Sequence, residues 1–172
     1  MLTAAVCTGT RAIPVAVSAC RKPSLARSQN LWEETFLRLT VDRLRAAGVS
    51  TVWLCDCGFH RVRWLEKFIE FEQQFVVRLT RDVTVRLADR VCLLKSLALG
   101  PGERRDFGWV WVRSDRCFRV RLIGVWAVGA KEVWWLATNL ENAVSKVVPY
   151  YDRRMGTRSS SAPRRAAASA SS

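Results

Sequence analysis

Short β-rich runs alternate with segments of helical periodicity through the first half of this sequence, and this alternation most constrains how the chain can fold. Apolar and β-branched runs favour strands, whereas apolar residues at steps of three and four favour amphipathic helices. The pattern predicts strand, helix, strand, helix and two further strands, at residues 12–19, 31–47, 49–55, 61–70, 75–79 and 83–87. This order is typical of an α/β sheet covered by helices.

After Gly100 the pattern becomes that of successive antiparallel strands, over residues 108–128 and 132–140. Arg119 and Arg121 alternate there with apolar residues, which predicts one apolar and one basic face. We expect a β-rich insertion at about residues 88–140 of a domain spanning 1–155, with a last helix over 141–155. The low-complexity tail, residues 156–172, is expected to be disordered.

The chain is strongly basic, with 28 lysines and arginines against 15 aspartates and glutamates and a formal net charge of +13. Arginine-rich surfaces bind polyanions because guanidinium groups pair with phosphate oxygens and release condensed counterions. Nucleic acid is therefore the first expected partner, and an anionic membrane surface is the second. The alternative is a soluble domain whose charges are only solvated.

The cysteines and the N-terminal segment lead us to expect a cytoplasmic protein. The six cysteines form no CxxC pair and the one histidine is His60, so neither a zinc site nor a disulfide framework is expected. Residues 17–20 read VSAC, similar to a lipoprotein cleavage box, but Arg11 and Pro14 interrupt the apolar stretch before it. No apolar run has the length needed to span a bilayer.

Asp56 follows the strand predicted at residues 49–55 and precedes Gly58, where the chain turns into the second helix. Ligands of α/β sheets bind at the carboxyl ends of strands, so this carboxylate is well placed to hold a hard cation. A carboxylate in front of a helix can also accept hydrogen bonds from the first backbone amides as a cap. The residues alone leave both interpretations open.

Four segments resemble, in order, one protein family. They are DCGFHRVRWLEKFIEFEQQFVVRLTRDVTV at 56–85, RAIPVAV at 11–17, WWLATNL at 134–140 and YYDRRM at 150–155. They resemble segments of the DDE transposases of bacterial insertion sequences, in the insertion-sequence-four group that carries a Y-x2-R-x3-E-x6-K signature. The likeness extends over about residues 11–155.

The resemblance implies a ribonuclease-H-like core with a β-rich insertion before the last helix, and DNA transposition as the function. In that family two aspartates and one glutamate hold two Mg²⁺ ions that promote phosphodiester cleavage and strand transfer. Asp56 matches the second aspartate and is the expected catalytic and metal-binding residue. Tyr151 and Arg154 match the Y-x2-R part of the signature and are expected to contact DNA, as are Arg119 and Arg121 on the basic face. DNA is the expected partner, and a homodimer is left open.

The chain departs from the family at two of its three metal ligands. No acidic residue precedes Glu33, so the first aspartate is missing, and the signature places its glutamate at Arg158. Cys57 also replaces the family's usual arginine after Asp56. We therefore expect a truncated core, incomplete at the N-terminus, that cannot cut or join DNA. The missing first strand is expected to be central to the sheet, and its loss would expose two strand edges.

The segment from Gly156 onward suggests a shift of reading frame just after Met155. Permitted codons for residues 156–166 also encode, in a neighbouring frame, a glutamate and a lysine at the spacing of the signature. The nucleotide sequence tests this hypothesis, which fails if no neighbouring frame encodes that pair.

The alternative, from a different class, is a basic nucleic-acid-binding domain without catalysis. Arginines would supply its charge and tryptophans its stacking surfaces. The candidate arginines are Arg61, Arg63, Arg78, Arg86, Arg119 and Arg121. Four of the eight tryptophans instead occupy expected core positions, namely Trp53, Trp64, Trp126 and Trp135.

Overall fold

The computed structural model describes residues 1–8, 11–19, 29–88, 90–113, 117–141 and 143–159. Within these residues the chain is a mixed α/β protein with three helices, a seven-stranded mixed sheet and a separate two-stranded hairpin. The helices are α1 (Gln29–Ala46), α2 (Val62–Glu70) and α3 (Ala143–Ser159). The strands are β1 (Leu2–Thr8), β2 (Arg11–Ser18), β3 (Val52–Cys55), β4 (Gln74–Leu79), β5 (Thr84–Leu87), β6 (Arg90–Leu93), β7 (Arg104–Arg113), β8 (Cys117–Val125) and β9 (Trp134–Thr138).

The large sheet joins a short parallel unit to a series of antiparallel strands. Its strand order is β3-β4-β9-β8-β7-β5-β6, and only β3 and β4 run parallel. Helix α2 supplies the crossover that a parallel pair requires. Strands β6 to β9 fall in the segment 88–140, where the sequence predicts a β-rich insertion.

Strands β4 and β9 of the large sheet are buried on both faces. On β4, Phe75 and Val77 belong to one core, whereas Val76 between them belongs to the other, because successive strand residues point to opposite faces. Helices α1 and α2 cover the first core through Leu37, Val41, Trp64, Leu65 and Phe68. Helix α3 covers the second through Val147, Val148 and Tyr151.

Strands β1 and β2 form an antiparallel hairpin outside the large sheet. The strand predicted at 12–19 is confirmed as β2, but β1 was missed because its sequence, LTAAVCT, consists mostly of small residues with little strand pattern. In the described residues β1 pairs with β2 alone and β3 with β4 alone. Within this part of the chain, β1 and β3 each have one edge without a partner strand.

The predicted helices are confirmed with shifted ends. Helix α1 runs from Gln29 to Ala46, and Gly48 follows its end in the left-handed region at φ +67°. Helix α3 continues through Ser159, so residues 156–159 of the expected tail are helical. The rest of that tail, residues 160–172, lies outside the described part of the chain.

The sequence places four tryptophans in the core, and the structure confirms this burial at two of the four positions. Trp64 and Trp135 are buried, whereas Trp53 and Trp126 are half-buried. The indole N–H of Trp53 donates to Gln73 Oε1 at 3.1 Å, and that of Trp126 donates to the Ala130 carbonyl at 3.0 Å. These polar contacts near the surface account for the incomplete burial.

Candidate functional site

Asp56 lies directly after β3, as the sequence predicts, and caps the 3₁₀ turn Cys57–Phe59. Its Oδ1 accepts a hydrogen bond from the backbone amide of Cys57 at 2.9 Å. Asp56 therefore caps this turn and not the second helix, because the N-cap of α2 is Arg61, whose side chain makes no capping hydrogen bond.

The surroundings of Asp56 do not match a site for two divalent cations. Among the described residues no group of three histidine, cysteine, aspartate or glutamate side chains is close enough to hold a metal ion. Arg78 lies within electrostatic range of Asp56. Burial opposes the charge on Arg78, but its hydrogen bond with Glu132 and the attraction of Tyr151, Glu132 and Asp56 raise the pKa of the guanidinium above its usual value. A permanent cation near Asp56 disfavours Mg²⁺ there.

Of the two signature residues on α3, Tyr151 has a described side chain and Arg154 does not. The side chain of Tyr151 has no exposed surface and packs edge-on against Trp134, with ring centroids 5.6 Å apart. The predicted contact between Tyr151 and DNA does not fit this burial, because a side chain inside the core offers no surface to a ligand. Of Arg154 only the helical backbone is described.

The six candidate arginines fall into two groups. Four pair with carboxylates of neighbouring elements, namely Arg61 with Glu33, Arg63 with Glu34, Arg78 with Glu132 and Arg121 with Asp106. A guanidinium held by a carboxylate is less available to a phosphate, since binding would have to replace the ion pair. The other two, Arg86 and Arg119, are exposed and lie over tryptophan rings.

Arg121, expected to contact DNA, instead connects neighbouring segments of the sheet. Its Nη2 and Nε donate to Asp106 Oδ2 at 2.6 and 2.9 Å, and its Nη1 donates to the carbonyl of Glu141. Asp106 Oδ1 accepts from the Gly108 amide at 2.7 Å, at a bulge in β7 where Gly108 has φ +70°. Partial burial opposes ionisation, but these donors lower the pKa of Asp106 below its usual value. The geometry favours a structural role for Arg121 over a contact with DNA.

Arginine and tryptophan side chains share the outer face of β5, β7 and β8. The strand register places Arg86 opposite Trp111 and Trp111 opposite Arg119, so these side chains form a row across three strands. The Arg86 guanidinium lies 5.7 Å from the centroid of Trp111, and that of Arg119 lies 5.4 Å from the centroid of Trp109. On β7, Trp109, Trp111 and Arg113 alternate with buried valines. We call Arg86, Trp109, Trp111, Arg113 and Arg119 the arginine–tryptophan face.

This face combines exposed indole rings with positive charge. Trp109 is 42% exposed and Trp111 is 38% exposed, which is high for indole rings on a folded protein. The three arginines carry positive charge, and Arg121, opposite Trp109 in the strand register, is paired with Asp106 beside them. Cation–π contacts hold guanidinium groups beside the rings, where phosphates and bases of one strand would meet them.

Arg86 and Arg119 are candidates from the sequence, whereas Trp109, Trp111 and Arg113 join them only in the structure. The segment GWVWVR carried the necessary signal, because its tryptophans and arginine occupy alternate positions between valines. Alternation of this kind predicts one buried and one exposed face. What it could not show is that β5 lies beside β7 and adds Arg86 to the row.

Comparison with known protein families, with curated proteins and with solved structures finds no match to this chain. Within the described residues, none of the helices combines the length and apolar character required to cross a lipid bilayer.

Proposed function

We propose that this protein binds DNA through the arginine–tryptophan face, and that it is a relative of the DDE transposases that no longer performs their chemistry. The observation that carries the proposal is the exposed row of Arg86, Trp111 and Arg119 across three strands. Guanidinium groups release counterions from phosphates, and indole rings stack on bases. DNA is the proposed partner, and the cytoplasm is the proposed location.

The order of elements supports the proposed kinship. A parallel β3–α2–β4 unit carries Asp56 at the carboxyl end of β3, antiparallel strands follow, and α3 comes last. The four segments that resemble the transposases fall on β2, on the stretch from Asp56 to β5, on β9 and on α3. On these grounds we propose a ribonuclease-H-like core that lacks one strand.

Transposition itself would need a site that this chain does not supply. Two-metal phosphoryl transfer requires several carboxylates around two cations, because each cation needs oxygen ligands and compensation of its charge. Asp56 caps a turn and lies in the field of Arg78, so the residues present do not fit Mg²⁺. We propose binding without strand cleavage. Cleavage of supercoiled DNA by the purified protein, dependent on Mg²⁺ or Mn²⁺ and lost in Asp56→Ala, would overturn this part.

A salt titration tests the binding proposal. Fluorescence anisotropy is measured with a labelled duplex and with one of its strands at several salt concentrations. Three phosphate contacts predict a slope of log affinity against log salt of about −2.7 for duplex and about −2.1 for single strands. An affinity independent of salt, or no binding at low ionic strength, would rule out the proposed interface.

The second candidate is a nucleic-acid-binding domain with no relation to transposases. The exposed tryptophans favour it, because stacking on indole rings accepts any base. Selection from a pool of random duplexes separates the two candidates. Enrichment of one duplex sequence supports the transposase relative, whereas equal binding to unrelated single strands supports the alternative. Sedimentation velocity, with and without DNA, decides whether a homodimer forms.

A further inference from the structure

A cavity of about 650 Å³ lies between the hairpin and the large sheet. Residues 2–7 of β1 line it without a gap, as do residues 49–56 in and around β3. Successive strand side chains point to opposite faces, so a cavity that touches every consecutive residue must border the edge of the strand. The cavity is therefore bounded by the edges of two strands.

Each of these strands lies at an end of its sheet. In the described residues, β1 has β2 as its one partner strand and β3 has β4. An open strand edge displays amide and carbonyl groups that pair readily with a further strand. Two such edges facing one space can each pair with the same inserted segment.

The dimensions of the cavity match one strand. A residue in a packed sheet occupies about 3.3 Å along the strand, about 4.8 Å between strands and about 10 Å between layers, or about 160 Å³. The cavity thus holds about four strand residues, and β3 is four residues long. Phe36 and Leu37 of α1 line it from one layer and Tyr150 of α3 from the other, so an inserted strand would be covered on both faces.

The charge of the lining indicates the chemistry of the occupant. Asp56 and Arg153 are the charged residues that line the cavity, and their charges are opposite. The rest of the lining is apolar or neutral. A phosphodiester backbone would be attracted by Arg153 but repelled by Asp56, so the lining offers it no net charge. An uncharged peptide carries no ionised group that would have to give up its water on entering the cavity.

We infer that this cavity, which we call the strand slot, is an acceptor site for one extended, uncharged, apolar peptide segment, bound as a β-strand between β1 and β3. Such a strand would join the hairpin and the large sheet into one continuous sheet. The inference does not rest on the proposed DNA binding, because it uses a different part of the molecule.

The test uses a capped hexapeptide of alternating threonine and valine as the probe. Hydrogen exchange of the full-length protein is followed by mass spectrometry with and without it. We expect the amides of residues 2–7 and 52–55 to become protected together, with exchange slowed about tenfold or more. A matched peptide that is N-methylated at alternate residues keeps its side chains but loses the donors of one edge, and we expect it to give no joint protection.

A pair of variants controls for the site. Ala4→Trp places a bulky side chain in the lining of the strand slot, whereas Val91→Trp places the same side chain on β6, the strand at the opposite end of the large sheet. We expect Ala4→Trp to abolish joint protection and Val91→Trp to leave it unchanged. Unaltered exchange in β7 and β8 establishes that each variant is folded.

Four results would overturn the inference. They are protection of β6 alone, equal protection by the N-methylated peptide, no protection of either edge, and joint protection by oligothymidylate. Joint protection that needs no peptide and grows with protein concentration would also overturn it, because a second copy would then fill the strand slot.

Discussion

The guanidinium of Arg119 lies over the ring of Trp109, 5.4 Å from its centroid, on a face of the sheet that is open to solvent. On the neighbouring strand Arg86 lies over Trp111 in the same way, at 5.7 Å. The repetition matters because two cations and two rings then alternate on one surface.

Removing the two ring-stacked arginines should weaken DNA binding. For Arg86→Gln/Arg119→Gln we expect a loss of about tenfold in affinity and a salt slope shallower by about 1.8 on duplex DNA. The matched control is Arg63→Gln/Lys95→Gln, which removes the same charge from two residues that already form ion pairs. Equal losses in both double variants would show that overall charge, and not this face, drives binding.

Removing an exposed ring should affect single-stranded DNA most. We expect Trp111→Ala to weaken single-strand binding by about 1–3 kcal/mol and Trp111→Phe to retain part of it, because stacking needs an aromatic face. Anisotropy at constant salt provides the measurement. If alanine and phenylalanine variants bind alike, Trp111 does not stack on bases.

Asp106 should contribute stability that depends on pH. Its pKa is lower in the folded chain than in the unfolded chain, so its contribution is present above the unfolded pKa of about 3.9 and disappears as pH falls through the folded value. We expect Asp106→Asn to lower the free energy of unfolding by about 1–2 kcal/mol near neutral pH. Urea unfolding across the acid range should show the two proteins converging below about pH 4. A difference that stays constant with pH would contradict the role of the carboxylate charge.

Gly124 should not tolerate a side chain. A methyl group there would lie 2.8 Å from Cζ3 of Trp135 and 3.2 Å from Cε2 of Phe107. We expect Gly124→Ala to lower the free energy of unfolding by about 1–3 kcal/mol through overpacking. Gly58→Ala is the control, because a Cβ at that position meets no atom within 4 Å. Equal thermal midpoints for the two variants would contradict this packing.

Asp56 should behave as a cap and not as a metal ligand. Asparagine can also accept the Cys57 amide hydrogen bond, so we expect Asp56→Asn to be nearly neutral and Asp56→Ala to cost about 0.5–2 kcal/mol. Millimolar Mg²⁺ should leave the melting temperature of all three proteins unchanged. A melting temperature that Mg²⁺ raises in the unaltered protein but not in Asp56→Asn would establish a metal role.

Local pattern was sufficient for most elements of this fold. Apolar spacing predicted α1 and α2, and alternation predicted β7 and β8, because these signals depend on residues that are close in sequence. The same reasoning placed Asp56 at the end of a strand. It failed for β1, where small residues carry little preference and pairing with β2 decides the conformation.

The sequence alone determined that this protein is basic, mixed α/β and rich in arginine, since charge and periodicity are properties of the chain itself. Tertiary structure decided which arginine side chains are held in ion pairs and which are exposed without one of these carboxylate partners. It joined Arg61, Arg63, Arg78 and Arg121 to carboxylates from other elements and left Arg86 and Arg119 over tryptophan rings. It also placed the open edges of β1 and β3 on either side of one cavity. Ion pairs and strand neighbours form between residues far apart in sequence, and only the packed fold brings them together.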